Sequence, residues 1–419
     1  MKKIFPYLLA LTCLSTPFYA AAQTDDEEDL VPLIERPEEQ VYETDKAVRV
    51  SVGGTAGVAY NDNIYRTAND EDSDFIGIFR PGVRLKTDMK PFQVDVRGVV
   101  EVGEYFTESE NSYIDTDIDG RVSYDVTPET QLYIGGRHRT DHVAIGAFTD
   151  DPDSQAAEPT DYDYVEANAG LKVDAPSWVA HLHSGVDFYD YDNSSRRDGT
   201  TIINDDRDRD EYHTTARVGY KVHDDSILYI QGAVNQRNYD NRVDSTTLFS
   251  RDSNGLEVIG GLRIGEKRDR FFGDIGIGYL QQDYDAAQLP LVSGVALRAD
   301  FRFNPDDQWQ ARTYLTRDVR ETTTSGTSAY LQSRVGTELS YQWLEDLKVG
   351  GKLRYTRNDF EVNENIGGIQ RVDHVYDGSV FADYNFYENY VVGGEYLRIS
   401  RSSENDNNDY DFLGINDMP

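Results

Sequence analysis

Two histidines, His181 and His183, have the spacing that most resembles a reactive site. Residues two apart in an extended strand point to the same face, so the two imidazoles would share one side. A His-x-His pair can bind a metal, but a site needs further ligands, which the sequence does not place. Ser184 falls on the opposite face, which argues against a Ser–His catalytic pair. We therefore expect two polar wall residues and predict no catalytic site, no metal and no cofactor.

A larger set of side chains that could bind a ligand is basic and falls on one face of successive alternating segments. Guanidinium groups donate paired hydrogen bonds to carboxylates or phosphates. Acidic residues such as Asp95, Asp117 and Asp300 fall on the same face. The set therefore predicts either a mesh of ion pairs or a surface that guides an anionic or hydroxyl-rich chain. The candidate contact residues are Arg84, Arg97, Arg121, Arg137, Arg217, Arg263, Arg302, Arg312, Arg334, Lys352 and Arg354.

The segments that carry these residues alternate between apolar and polar side chains. In residues 92–106, Phe92, Val94 and Val96 alternate with Gln93, Asp95 and Arg97. Alternation over ten or more residues is the signal of a β-strand. It recurs in residues 114–126, 178–189 and 295–303, and no segment shows a helical period.

Short polar turns punctuate the alternating segments at intervals of roughly 40–48 residues, so the chain is a repeat of two long strands and one short turn. Longer acidic stretches, such as "NDNIYRTANDEDSD", separate one pair of strands from the next. The eight turns are "TDMKP" (87–91), "VTPET" (126–130), "DAPSW" (174–178), "VHDDS" (222–226), "GEKRD" (265–269), "NPDDQ" (304–308), "LEDLK" (344–348) and "FYENY" (386–390).

Long strands with short turns at one end and long loops at the other are typical of a transmembrane β-barrel. Because lipid leaves no backbone group unpaired, the sheet must close, with one face apolar and the other facing water. A β-sandwich alternates in the same way, but its strands average about five or six residues. We predict an all-β, antiparallel, up-and-down barrel of about 16–18 strands in the cell outer membrane, with short periplasmic turns and long acidic extracellular loops.

The amino terminus predicts export. Residues 1–22 have two lysines, an apolar run and an A-x-A ending, as a signal peptide does. Residues 23–46 are acidic and predict a flexible periplasmic leader, or else a capping helix or plug. The barrel would then span residues 47–419, and the single cysteine, Cys13, would be lost with the signal peptide. Near the other end, Tyr410 to Ile415 can form a short closing strand, without the terminal aromatic residue usual in such barrels.

Composition agrees with this interpretation. The chain has 29 Tyr and 17 Phe, which is too aromatic for a disordered protein. Its formal net charge of −35 predicts no nonspecific binding of nucleic acid.

Several stretches resemble a family of outer-membrane β-barrel porins that are often encoded with exopolysaccharide biosynthesis genes. "AYNDNIYRT" (59–67) followed by "FRPGVRLKTD" (79–88) resembles the opening hairpin of that family, and "YDVTPETQLYIGGRH" (124–138) and "DYDYVEANAGLKVD" (161–174) resemble later hairpins. The resemblance runs from about residue 47 to the end. It implies an outer-membrane location and a role in moving a secreted polysaccharide across that membrane.

Three functions follow as hypotheses, none of them enzymatic. The first is a conduit for secreted exopolysaccharide, with periplasmic export components as partners and lipid and lipopolysaccharide around it. The second is a general diffusion porin for small solutes, which would need a loop folded inward; "NSSRRDGTTIINDDRDRDE" (193–211) is the candidate. The third is a structural or adhesive surface barrel with a blocked lumen.

Overall fold

A computed structural model describes residues 12–15, 41–45, 48–67, 71–145, 156–196, 198–240, 249–266, 269–322, 327–363, 370–387, 390–403 and 410–414. Most of the predicted signal peptide and leader lies outside these residues. Within the described part of the chain, no helix is long and apolar enough to cross a membrane.

The described chain is almost entirely β-strand, with one 3₁₀ turn at Ser109–Asn111. The strands in chain order are β1 (Thr12–Ser15), β2 (Val41–Asp45), β3 (Val48–Asn61), β4 (Asp74–Met89), β5 (Phe92–Tyr105), β6 (Tyr113–Thr127), β7 (Thr130–Val143), β8 (Thr160–Asp174), β9 (Trp178–Tyr191), β10 (Ser194–Ser195), β11 (Thr201–Ile202), β12 (Arg209–His223), β13 (Ser226–Tyr239), β14 (Ser253–Ile264), β15 (Phe271–Tyr284), β16 (Val292–Phe303), β17 (Trp309–Arg320), β18 (Thr327–Leu344), β19 (Leu347–Val362), β20 (Val372–Tyr387), β21 (Tyr390–Ser403) and β22 (Tyr410–Gly414).

The long strands β3–β9 and β12–β21 form one antiparallel, up-and-down sheet in which each strand pairs with the next. β9 pairs directly with β12, and β10 and β11 form a separate two-stranded ribbon in the loop between them. With β22 these strands make eighteen, the upper of the predicted counts. The predicted fold class is therefore confirmed.

Closure of the sheet depends on β22. It pairs with β21 from Leu397 to Arg401, but with β3 only through Gly414 and Asn61. Within the described residues the two edges are thus joined by a single pair and not by a continuous ladder. Two strands lie in segments predicted to precede the barrel: β1 pairs with β21, and β2 pairs with β3.

The two faces of the sheet differ as the alternation predicted. Large apolar side chains point outward and are exposed, among them Phe79 (55%) and Leu353 (70%). Arg97 and Arg237 point inward and are less than 10% exposed. An apolar outer band around a polar interior is the arrangement that a lipid bilayer requires.

Candidate functional site

The polar inner wall of the barrel is the candidate site, and the predicted basic residues lie on it mostly in ion pairs. Nine of the eleven pair with a carboxylate within the described residues. The pairs are Arg84–Asp95, Arg97–Asp117, Arg97–Asp119, Arg137–Asp117, Arg217–Asp274, Arg263–Asp274, Arg302–Asp300, Arg312–Asp300, Lys352–Glu395 and Arg354–Asp377.

The other two predicted residues have different partners. The Arg121 guanidinium lies 4.6 Å from the centre of the Tyr133 ring, a cation–π distance. Arg334 donates a hydrogen bond of 2.8 Å to the side-chain oxygen of Gln332. The geometry thus forms the ion-pair mesh that was one of the two predicted arrangements. Contact between these residues and a polymer stays a prediction.

Burial of the inner wall changes along the barrel axis. We call the half near the long loops the loop-side half and the half near the short turns the turn-side half. In the loop-side half, the side chains of Arg401 and Asp373 are both fully buried. In the turn-side half, those of Arg263 and Lys352 are 36% and 31% exposed. These turn-side cations are therefore partly accessible to solvent, although Arg302 and Arg312 in the same half are only 13% and 16% exposed, whereas the Arg401–Asp373 pair is not accessible at all.

Asp373 organises one part of the loop-side half. Its carboxylate accepts hydrogen bonds from Arg371 (2.8 Å), Arg401 (2.7 Å) and the Ser403 hydroxyl (2.6 Å). A buried carboxylate is tolerated when charged donors and hydroxyls replace its lost water in this way. The cluster joins the loop-side ends of β20 and β21 through hydrogen bonds.

A second feature of the loop-side half is a hairpin that folds into the lumen. β17 pairs with β16 only up to Arg317, opposite Leu297, yet it continues to pair with β18 as far as Arg320. The loop-side part of β16 therefore has no β17 partner among the described strand pairings. We call residues 317–322 and 327–332 the inward hairpin.

The inward hairpin packs against the inner face of the neighbouring wall. All six residues from Thr327 to Gln332 are buried, although consecutive strand residues point to opposite faces. Both faces are thus covered. Ala329 and Leu331 form one apolar cluster with Leu280, Val292 and Ala296 of β15 and β16. These three residues lie on the inner face, so the hairpin lies inside the barrel.

The tip of the inward hairpin reaches farther around the wall. The Glu321 carboxylate accepts a hydrogen bond of 2.7 Å from the Tyr239 hydroxyl and also pairs with Arg237. Both residues belong to β13, four strands away from β17. Arg251 donates to the carbonyl oxygen of Thr322. The hairpin is consequently anchored by charge at its tip and by apolar contacts at its base.

The described part of residues 193–211, the predicted constriction loop, contacts the start of β8 and the residues just before it. Arg196 forms an isolated β-bridge with Ala156, and the Ser194 hydroxyl lies 3.1 Å from that of Thr160. The loop thus packs on the connection between β7 and β8. The alternation gave no signal for the inward hairpin, since "TSAYLQ" (327–332) reads like any other strand segment.

The two predicted histidines lie on the inner wall within a chain of hydrogen bonds. The Tyr133 hydroxyl lies 2.9 Å from His181 Nε2 and 3.0 Å from His183 Nδ1. His183 Nε2 lies 3.2 Å from Nε2 of His213 on β12. His213 Nδ1 in turn lies 3.0 Å from Asp187 Oδ2. The structure therefore adds His213 to the two histidines that the sequence singled out and joins it to the inward Asp187.

A different group of potential metal ligands lies near the loop end of β6 and β7. Asp115, Asp141 and His142 each offer a ligand atom within 4.8 Å of the others. His142 Nδ1 is 3.1 Å from Asp115 Oδ2, and its ring packs on Tyr113 with ring centres 4.1 Å apart. A hydrogen-bonded His–Asp pair accounts for this contact without an ion.

Comparison with known proteins gives one family. The model of the family described as "Putative beta-barrel porin 2" matches residues 51–415. No curated protein matches the sequence.

Solved structures with a similar fold are outer-membrane proteins. The protein OpdQ of Pseudomonas aeruginosa is 11% identical with a TM-score of 0.43, over 88% of this chain and 96% of that one. The alcaligin outer-membrane receptor FauA of Bordetella pertussis is 12% identical with a TM-score of 0.43, over 86% and 68%. The assignment of the chain rests on the family match and not on these likenesses.

Proposed function

Because the chain belongs to the β-barrel porin family whose model it matches, and is an outer-membrane channel, we propose that it conducts a secreted polysaccharide. The observation that carries this proposal is the composition of the turn-side half. Its wall presents solvent-accessible cations and carboxylates side by side, as in Arg84–Asp95 at 2.6 Å and Lys352–Glu395 at 3.4 Å. Such a wall offers hydrogen-bond donors and acceptors together.

Paired charges favour a hydroxyl-rich substrate over a simple anion. A field of one sign is largely cancelled when each guanidinium has a carboxylate at contact distance. Sugar hydroxyls both donate and accept, so they can bridge an Arg–Asp pair without displacing it. Many weak contacts of this kind would hold a chain while letting it move. Export components at the short turns and lipopolysaccharide at the acidic loops complete the proposal, which includes no enzymatic step.

A general diffusion porin is the second candidate, and the inward hairpin favours it. A hairpin held across the loop-side half narrows the passage and would limit the size of a solute. A structural or adhesive barrel is the third candidate, and it requires that the passage be blocked.

Ion conductance in planar bilayers separates the three candidates. We expect an open channel whose current is blocked in steps by neutral and acidic oligosaccharides. Arg84→Gln and Lys352→Gln each remove the cation of one turn-side ion pair. These variants should weaken the block at least several-fold. Lys90→Gln, which removes an exposed charge in the turn between β4 and β5, is the matched control and should leave the block unchanged.

Conductance that is indifferent to sugars would contradict the polysaccharide proposal and support the diffusion porin. Absence of conductance from a verified folded barrel would contradict both and leave the structural role.

A further inference from the structure

His183 and His213 face each other on adjacent strands of the inner wall. In the register of β9 and β12, Thr215 lies opposite His183 and Gly185 lies opposite His213, so the two histidines are diagonal neighbours. Their Nε2 atoms are 3.2 Å apart. We propose that these two nitrogens bind one late first-row transition-metal ion, with Zn²⁺ and Cu²⁺ as the representative ions.

The separation of the two nitrogens fits a shared ion. Two imidazole nitrogens bound to one tetrahedral Zn²⁺, each at about 2.0–2.1 Å, lie about 3.3 Å apart. Two rings aimed at such an ion would have centres about 5.2 Å apart. The observed separation of the ring centres is 5.2 Å, with the planes at 19°. Binding would thus need little movement of either side chain.

The second nitrogen of each ring is held as a metal ligand requires. His213 Nδ1 lies 3.0 Å from the buried carboxylate of Asp187, and His183 Nδ1 lies 3.0 Å from the Tyr133 hydroxyl. With Nε2 of each ring on the ion, both Nδ1–H groups donate to these oxygens. Partners of this kind fix the orientation of a ligating histidine and raise its basicity. The Asp187 carboxylate accepts a further hydrogen bond of 3.0 Å from Tyr164 and is itself fixed.

The local backbone leaves room for the pair and a path to it. A Cβ atom at residue 185 would lie 2.6 Å from His213 Nε2, so Gly185 makes space for the ring. The His213 side chain is 26% exposed, whereas that of Asp187 is 2% exposed. An ion can therefore reach the histidines from the lumen, while the supporting carboxylate stays buried.

The chemistry of the donors sets the class of ion. Imidazole nitrogen favours Cu²⁺, Zn²⁺ and Ni²⁺ over Ca²⁺ and Mg²⁺, which prefer oxygen. The chain supplies two ligands, and water from the lumen would fill the remaining positions. His181 acts through Tyr133, since its Nε2 lies 2.9 Å from the hydroxyl that supports His183.

The proposal is tested with the full-length mature barrel, folded in detergent without an affinity tag. We expect Cu²⁺ to bind at one site per barrel, with an electron paramagnetic resonance spectrum that shows two coordinated nitrogens. His183→Gln and His213→Gln should each weaken binding at least tenfold and reduce the nitrogen signal. His142→Gln alters the Asp115–Asp141–His142 group instead and serves as the control, with unchanged affinity expected.

Two further variants test the geometry when a histidine variant fails to fold. Asp187→Asn removes the carboxylate behind His213 and should weaken Cu²⁺ binding 10–100-fold while the two nitrogens remain in the spectrum. Gly185→Ala should displace the His213 ring and weaken binding as well. Unchanged Cu²⁺ affinity in both histidine variants would overturn the proposal, and so would loss of binding in His142→Gln alone.

Discussion

The loop-side and turn-side halves of the inner wall contain the same kinds of ion pair in two different environments. Arg401–Asp373 is fully buried, whereas Arg84–Asp95 in the turn-side half joins side chains that are 20% and 36% exposed. Exposed pairs contribute about 0–1 kcal/mol, because water screens the charges. Removing one partner of a buried pair costs far more, because the remaining charge stays buried without its counter-ion. The same residue types should therefore contribute more to stability in the fully buried Arg401–Asp373 pair than in the partly exposed Arg84–Asp95 pair.

The difference comes from what covers the wall and not from the strands themselves. Both halves belong to the same strands, with the same alternation. The loop-side half is covered by the inward hairpin and by polar clusters such as the one around Asp373. The loop-side end of the wall is therefore more densely covered than the turn-side end, and the proposed sugar contacts lie at the turn-side end.

The largest effect should follow from breaking the buried pair. Arg401→Met leaves Asp373 buried with fewer donors, so we expect the free energy of unfolding to fall by about 3–5 kcal/mol. Arg84→Met, the matched change in the turn-side half, leaves an Asp95 carboxylate that is 36% exposed and should cost at most about 1 kcal/mol. Urea unfolding of both variants in lipid vesicles measures the difference. Equal losses would show that the two halves do not differ as their burial indicates.

The next effect concerns the apolar base of the inward hairpin. Leu331→Ala removes a side chain from the apolar cluster that includes Leu280 and Val292 and should cost about 2–3 kcal/mol of stability. Because this cluster holds the hairpin in the lumen, single-channel conductance should rise as well. Leu339→Ala, on the same strand but 46% exposed on the outer face, is the control and should leave conductance unchanged. A conductance that stays the same in Leu331→Ala would mean that the hairpin does not narrow the passage.

A smaller effect is expected where aromatic rings lie over glycines in the wall. A Cβ atom at Gly170 would lie 2.1 Å from Cζ of Tyr133. Gly170→Ala should therefore displace the Tyr133 ring and cost about 1–3 kcal/mol by overpacking. Gly232 has no atom within 4 Å of the same position, so Gly232→Ala is the matched control. Comparable urea midpoints for the two variants would contradict this account of the Tyr133 site.

Much of the fold could be predicted from the sequence, because the bilayer imposes a regular pattern. The alternation in residues 92–106 and 114–126 placed β5 and β6 to within one residue at each end. The short turns also lie where the polar motifs predicted them, for example between β12 and β13 at residues 224–225. Face assignments followed from the same alternation, which is why nine predicted basic residues are found beside inward acids.

The functional details could not be predicted, because they depend on contacts across the barrel. His213 lies thirty residues after His183, beyond a long loop, and only the register of β9 and β12 brings the rings together. The inward hairpin depends on the point where β17 leaves β16, and no residue type marks that point. Alternation describes each strand relative to its own two faces, and it carries no information about what later covers those faces.

The smallest expected effect is electrostatic and lies in the loop before β12. Burial, together with the charges of Asp190, Asp205 and Asp240, raises the pKa of the Asp208 carboxyl from 3.8 to about 6, although the Tyr191 N–H donates to it at 2.7 Å. The folded state thus takes up the proton more readily than the unfolded state. The resulting stabilisation is complete below about pH 4 and is lost as pH rises through about 6.

Asp208→Asn should remove this pH dependence, which amounts to at most about 1 kcal/mol after screening by solvent. Asp198 in the same loop is the contrasting control, because the Thr200 hydroxyl and N–H lower the pKa of its carboxyl. Stabilisation from Asp198 would be lost as pH falls, the opposite sign. Urea unfolding at pH 7.5 and 4.5 compares the wild type with Asp208→Asn and Asp198→Asn. If the wild type and Asp208→Asn differ equally at both values, the loop-side packing does not extend to this carboxyl.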